Sequence, residues 1–384
     1  MRRTIVTGNL PGLRHTHARR GSRALLGVLA VLIASPASAE DFESEPPLTV
    51  VMPGGAPTRA KMRAIIRPYR ERLGRWVEVK EVTSPLEEMS RQVASENVKW
   101  DVVSLDMPAA VSACQNGLVE KIEPSSLPPA KDGTPASQDF IPEAFQACGV
   151  GYAIWATVVA YDRTSGKKAP TKLADFFDTR RFPGRRGLRR EPQVAMEWAL
   201  LADGVAPDEI YSTLETRRGV DRAFKMLDRI RDDIVWWFHG REGPELIATG
   251  KVAMASAWNG RVHIQNERED RIGIIWDRAI WNIEVWVIPR GSARKAQALE
   301  FIRESTTTAA MLRQADEIPY GSPRRSARPL FPPAIAKTLP TSHPETHLKI
   351  DFVWWAENAE RLNPLFERWI NRGPAYDFDN MDRQ

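Results

Sequence analysis

Thirteen tryptophans, two cysteines and a glycine turn in the stretch VVMPGGAPTR (50–59) are the features of this 384-residue sequence whose types and spacing could serve chemistry. The turn follows an apolar run and precedes a helix start at Thr58, an arrangement by which backbone N–H groups often hold phosphate. It lacks the lysine and hydroxyl of a G-x-x-x-x-G-K-[ST] loop, and its glycines lack the G-x-G-x-x-G spacing of a dinucleotide site. No G-x-S-x-G elbow is present. His343 and His347 form an H-x-x-x-H pair, but Pro344 lies between them in a loop-like segment, so a solvated tail is the simpler reading. The carboxylate pairs Glu87-Glu88 and Asp232-Asp233 sit in polar helical runs and read as solvated faces. Nothing supplies the nucleophile–base pair that a hydrolase needs. The expectation is a protein that is not an enzyme and uses neither cofactor nor metal.

The tryptophans carry the remaining signal. All fall after residue 75, and most must be core. Trp258 in SAWNGR, Trp276 in WDR and Trp281 in IWNIEVW, however, stand beside polar residues at strand ends. Such rings suit the capture of small ligands: a π-face contributes about 0.5 to 2 kcal/mol to a bound cation. Polar groups at strand carboxyl ends then fix the ligand's orientation.

Strand-like and helix-like patterns alternate around these residues. LTVVM (48–52), WVEVKEV (76–82), DVVSLD (101–106), YAIWATVVAYD (152–162), DIVWWF (233–238), VAMASAW (252–258), IGIIWD (272–277) and VWVIPRG (285–291) read as strands. A helix is expected from Thr58 to about Leu73, with Met62, Ile65, Ile66 and Tyr69 on one face. Another puts Val220, Phe224, Leu227 and Ile230 on one stripe, and a third runs from about Asp351 to Ile370. The alternation predicts an α/β fold with mostly parallel sheets, and the length suits two of them. The basic GRRGLRR (184–190) is expected as a charged loop or one rim of a cleft, and the Pro-rich pieces at 124–135 and 319–333 as surface loops.

The first 39 residues have the form of a secretory signal: Arg2, Arg3, Arg14, Arg19, Arg20 and Arg23, then ALLGVLAVLIA, then the A-x-A motif at Ala37–Ala39. Six of the 54 basic residues lie there with no acid, so the rest carries 48 basic against 49 acidic residues and the net +5 becomes −1. The basic balance therefore belongs to the signal and gives no support to nucleic-acid binding. A periplasmic, monomeric protein is expected. Cys114 and Cys148, an even count in an exported chain, are expected to pair as a disulfide rather than persist as two thiols.

Four stretches together resemble the extracellular solute-binding proteins of ABC importers, specifically the spermidine/putrescine-binding group. They are DFIPEAFQACGVGYAIWATVVAYD (139–162), RFPGRRGLRREPQVAMEWALLADGVAPDEIY (181–211), VAMASAWNGR (252–261) and VWVIPRGS (285–292). The resemblance implies a two-lobed, type II-like periplasmic binding protein fold with the ligand cleft between the lobes. One lobe would use 46–155 plus 286–384 and the other 156–285, with crossings near Trp155–Tyr161 and Glu284–Pro289. It also implies delivery of a small ligand to a membrane permease.

The same resemblance implies site residues. Trp258 would pack on a polyamine's methylene chain, Glu284 would pair with an amine, and Tyr320 would form an aromatic wall. Glu191 is a second acidic position, and Asn259 follows the ring in the WNG motif. Asp106 reads equally as a cleft residue or as a helix N-cap, and Trp155 as hinge packing or ligand contact. Pro53, Gly54 and Gly55 depart from the pattern, because the group places aromatic and acidic residues there. A polyamine would then leave one amine unpaired in a closed cleft, at a desolvation cost. A second ligand reading follows: Gly54, Gly55 and either Arg190 or Arg261 would suit a carboxylate, an amino acid or an aminophosphonate. A sensing role, with the same cleft signalling to a membrane receptor, is the other reading kept beside import.

Overall fold

Five consecutive buried residues make β1 (Leu48–Met52), a strand covered on both faces. The computed structural model describes residues 46–371 apart from Lys167 and 344–346, so the expected signal segment lies outside the described residues. The strands that follow are β2 (Val77–Glu81), β3 (Val102–Asp106), β4 (Phe145–Gln146), β5 (Gly149–Asp162), β6 (Arg186–Arg189), β7 (Ile234–Trp237), β8 (Met254–Trp258), β9 (Ile272–Val287) and β10 (His347–Lys349). They form one mixed sheet in the order β2-β1-β3-β9-β5-β8-β6-β7, with β10 on β9 and β4 on β5. This is the α/β architecture expected, but as one sheet rather than two. Strands pair parallel at both ends of the order, with the long antiparallel β5 and β9 between them.

The two long strands join those ends. β5 pairs with β9 antiparallel from Val150↔Trp286 to Asp162↔Ile272, with irregularities at Gly151/Ala153 and Thr157/Val159. β3 pairs with the last residues of β9, and β8 with the last residues of β5. The segments 272–277 and 285–291, expected as separate strands, belong largely to one strand. Polar Asp277, Arg278 and Asn282 interrupt the apolar run, yet hydrogen bonds to β5 continue past them.

Helix α1 (Ala56–Lys61) continues through a π-helical stretch (Met62–Ile66) into α2 (Arg67–Leu73), with Ile65, Ile66 and Tyr69 buried as expected. Further helices are α3 (Pro85–Ala94), α4 (Met107–Gln115), α5 (Pro192–Ala202), α6 (Arg217–Asp228), α7 (Glu242–Ala248), α8 (Asn259–Asn266), α9 (Lys295–Ser305), α10 (Thr308–Glu317) and α11 (Phe352–Asn371). The basic stretch at 184–190 is not a loop: Arg186–Arg189 form β6, which pairs with β7 and β8. The segment 318–324 is not a surface loop either. Its residues are buried, Gly321 exchanges backbone hydrogen bonds with Ile154, and Arg324 pairs with Asp139 at 2.7 Å. Buried charge requires that pairing, and further bonds to the Thr306 and Pro128 carbonyls complete it. Cys114 at the end of α4 is bonded to Cys148 just before β5, as expected.

Candidate functional site

A cavity of about 660 Å³ opens where β1, β2, β3, β6, β7 and β8 end. Each strand contributes its carboxyl-terminal residues or the turn that follows, the usual place for ligands in α/β sheets. From one side come Pro53, Gly54 and Gly55, then Thr83 and Ser84, then Ser104 and Asp106. From the other come Arg189, the 238–241 turn, Trp258 and Arg261. Trp155 and Glu284, on the two long strands, line it between these groups, with Tyr320 beside them.

The glycine turn is a close-approach site. Gly54 and Gly55 have φ of 88° and 77°, a region that side chains other than glycine rarely adopt. The Gly54 N–H donates to Thr58 Oγ1 at 3.1 Å, fixing the entry to α1. A Cβ on Gly55 would lie 3.4 Å from an Arg261 guanidinium nitrogen, so the bare backbone lets that cation sit against the start of the helix. Arg261 Nε is buried without a hydrogen-bond partner among the described residues.

Behind this turn, Lys61 on α1 is fully buried and its Nζ lies 2.7 Å from Glu284 Oε2. The contact is close but poorly aligned, because neither atom makes a hydrogen bond of good angle. Its attraction is therefore chiefly Coulombic. Burial pulls the Lys61 pKa below the usual lysine range; the Glu284 charge opposes that pull and the Arg261 charge adds to it. The Tyr152 ring centroid is 5.2 Å from Nζ, and its hydroxyl shares a 2.6 Å hydrogen bond with Ser104 Oγ.

Asp106 fills both roles that its sequence allowed. Its Oδ1 accepts from the Ala109 N–H at 3.0 Å as the N-cap of α4, and its carboxylate also lines the cavity. Burial pushes its pKa up; the Ala109 N–H and Arg189 oppose that, while the Glu284 charge adds to it.

On the opposite side, Trp258 ends β8 with resident cations already around its ring. The Arg189 guanidinium lies 5.1 Å from the ring centroid and that of Arg261 5.8 Å away. Trp155 tilts against it at 5.1 Å. Two glycines make room: a Cβ on Gly240 would lie 2.3 Å from the Trp258 ring, and one on Gly260 2.4 Å from the Tyr320 ring. Arg189 also holds Glu191 at 2.5 Å. Burial raises the Glu191 pKa, against the pull of Arg189 and with the push of Asp106. Phe238 stands at the rim, 57% exposed.

The geometry is that of a binding cleft with mixed charge and aromatic walls. Residues 64–341 match the family model of bacterial extracellular solute-binding proteins. The chain belongs to that family. A γ-aminobutyric acid-binding protein of Pseudomonas aeruginosa is 33% identical over 360 residues, 93% of this chain and 99% of that relative. A solved γ-aminobutyric acid receptor is 27% identical, with a TM-score of 0.77 over 86% of this chain and 99% of its own. A solved spermidine/putrescine-binding protein of Streptococcus pneumoniae reaches a TM-score of 0.67 over 84% of this chain and 99% of its own, but at 14% identity. That last likeness shows the two-lobed fold alone. The family part of the sequence resemblance stands, and its polyamine part narrows to a likeness of fold.

In this solute-binding protein, seven of the expected ligand residues share the cavity: Trp258, Glu284, Tyr320, Asp106, Trp155, Gly54 and Gly55. Two do not. Asn259 is 1% exposed, accepting from the Ala156 N–H at 3.0 Å and donating to the Pro319 carbonyl at 2.7 Å. It ties α8 to β5 and to the buried 318–324 segment. Glu191 lies behind Arg189 in a separate narrow recess. Arg190 turns away to Glu367 at 2.6 Å, while its neighbour Arg189 lines the cavity. Successive side chains on an extended backbone face opposite sides. Trp276 and Trp281 are elsewhere too, stacked on His343 and His347 with ring centroids 4.2 and 3.9 Å apart. The H-x-x-x-H pair is thus packed against rings rather than left as a solvated tail. Sequence reasoning missed Lys61, whose signal was a lone lysine between Ala60 and Ala64 on a helix that otherwise carries Arg59, Arg63 and Arg67 outward.

Proposed function

We propose that the cleft binds a small zwitterion, an ω-amino acid of the γ-aminobutyrate class, and delivers it to an ABC permease in the periplasm. The observation that carries this reading is the Lys61–Glu284 pair. The carboxylate that a polyamine would need already has a cation 2.7 Å away, and Arg189 and Arg261 bring two further cations to the same cavity. Arg261, whose terminal guanidinium nitrogens lie against the Gly55 position and whose Nε has no partner among the described residues, suits the ligand's carboxylate. Asp106 suits the ammonium: its Oδ2 makes no hydrogen bond to the described residues, and an arriving cation relieves the cost of its burial. The Trp258 and Trp155 rings would cover the methylene chain. The ligands named for the two γ-aminobutyrate relatives support this ligand class.

Import requires closure around the ligand. In this reading one lobe comprises 46–155 with 286–384 and the other 156–285. The crossings then fall near the register Trp155↔Asn282, where β5 and β9 pass the cavity. A thermal-shift panel on purified protein tests the ligand class with three molecules of matched length: γ-aminobutyrate, putrescine and succinate. Stabilisation by γ-aminobutyrate well above that by the other two is expected. Stabilisation by putrescine alone would return the polyamine reading.

A further inference from the structure

We propose that Lys61 determines specificity: its ammonium is a tethered counterion that occupies Glu284 and makes the cleft refuse ligands carrying a second amine. The inference deepens the zwitterion reading, and it adds a residue that lies outside the cavity surface.

Several observations converge on it. Lys61 has no exposure, while the Glu284 side chain is 12% exposed and lines the cavity, so any ligand ammonium reaching for Glu284 meets a carboxylate already neutralised from behind. Arg261 is close enough to depress the Lys61 pKa, and a third cation would enter the repulsion of both. The other groups around the pair are Tyr152 and Tyr320, whose hydroxyls burial keeps protonated, and Asp106, which takes the ligand's one ammonium in the zwitterion reading. Among the described residues the carboxylates lining the cavity are Glu87, paired with Arg91 at 3.1 Å, Asp106 and Glu284, so once Asp106 holds the first ammonium a second one must turn to Glu284.

Stability does not account for the pair. Replacing a buried ion pair by apolar side chains of similar volume is often neutral or favourable, so burying a lysine here implies another use for its charge. The Gly54-Gly55 turn supplies the means. It starts α1 directly after β1, which places Lys61 about one and a half turns into the helix and beside the last residues of β9, where Glu284 stands. An aromatic or acidic residue at Gly54 or Gly55 would meet Glu81 or Arg261 and would be strained at these φ angles.

The test compares the parent protein with Lys61→Met by calorimetric titration against putrescine and against γ-aminobutyrate. Methionine keeps the unbranched apolar stem, one atom shorter, and removes the charge, which leaves Glu284 open to a ligand ammonium. Putrescine should bind the variant at least about tenfold more tightly than it binds the parent, as expected for a charge pair regained in a partly buried site. Adding Glu284→Gln to that variant should abolish the gain. A folded Lys61→Met protein without the gain, or a gain that survives Glu284→Gln, overturns the proposal. Should Lys61→Met not fold, Lys61→Gln retains a donor for Glu284 and is read in the same way. Should neither fold, refolding rescued by putrescine but not by sodium succinate supports the proposal, and absence of rescue overturns it. Failure of the zwitterion reading is distinguishable: the parent would then not bind γ-aminobutyrate, whatever the variants do with putrescine.

Discussion

Arg261→Met separates binding from folding at one residue. In the unliganded protein the guanidinium Nε is buried without a partner and its charge disfavours protonated Lys61. Removing it relieves both. The loss on the other side is its position 5.8 Å from the Trp258 ring, a contribution of about 0.5 to 1 kcal/mol. Leaving a buried donor unsatisfied costs about 1 to 3 kcal/mol, so the unliganded variant should be as stable as the parent or slightly more so. Ligand binding should change far more. A hydrogen bond to a charged group contributes about 1.5 to 3 kcal/mol, so loss of a carboxylate clamp weakens γ-aminobutyrate binding roughly 10- to 150-fold. Urea unfolding without ligand and calorimetric titration with γ-aminobutyrate measure the two effects on one preparation. An affinity within about threefold of the parent would show that the ligand carboxylate does not meet Arg261. A large drop in unliganded stability would show that Arg261 is structural.

Other residues give sharp expectations. Asn259→Leu strands the Ala156 N–H and the Pro319 carbonyl in a buried site, and should lower unfolding stability by about 2 kcal/mol or more, measured in urea. Replacing Cys114 and Cys148 by serine opens a loop with a sequence separation of 34 and should cost about 4 kcal/mol on chain entropy, read from the same denaturation curves. Glu197, buried and held by Trp355 Nε1 at 2.6 Å and the Val194 N–H at 2.7 Å, has its pKa raised to about 7, chiefly by desolvation. The unfolded chain gives up that proton near the ordinary glutamate value and the folded one near 7, so stability falls as pH rises between the two, by on the order of 3 kcal/mol. Glu197→Gln should flatten that limb of a melting-temperature profile against pH, and an unchanged slope would place the titration elsewhere.

Most of the architecture could be read directly from apolar runs. β1, β3 and β8 fall within about two residues of the LTVVM, DVVSLD and VAMASAW stretches because buried strands need little besides uninterrupted apolar side chains. β6 was hidden: in Arg186–Arg189 only Leu188 is a large apolar residue, and the strand is held by neighbours that the local sequence does not reveal. β9 was read as two strands because polar Asp277, Arg278 and Asn282 interrupt its apolar run. The cavity wall was legible where a large ring stood beside polar residues at a strand end, as for Trp258 at the end of β8. It failed where burial changed the meaning. Asn259 and Glu191 read as ligand groups but satisfy protein partners, and Lys61 was passed over among the arginines of its helix. Its partner Glu284 lies on a distant strand, and only the fold brings the two together.

A crystal structure of the protein with γ-aminobutyrate in the cleft would test the central claim most directly. The account predicts the ligand carboxylate about 3 Å from the Arg261 guanidinium, its ammonium at Asp106, and the Lys61–Glu284 contact unbroken. A ligand ammonium seated on Glu284, with Lys61 displaced, would contradict it.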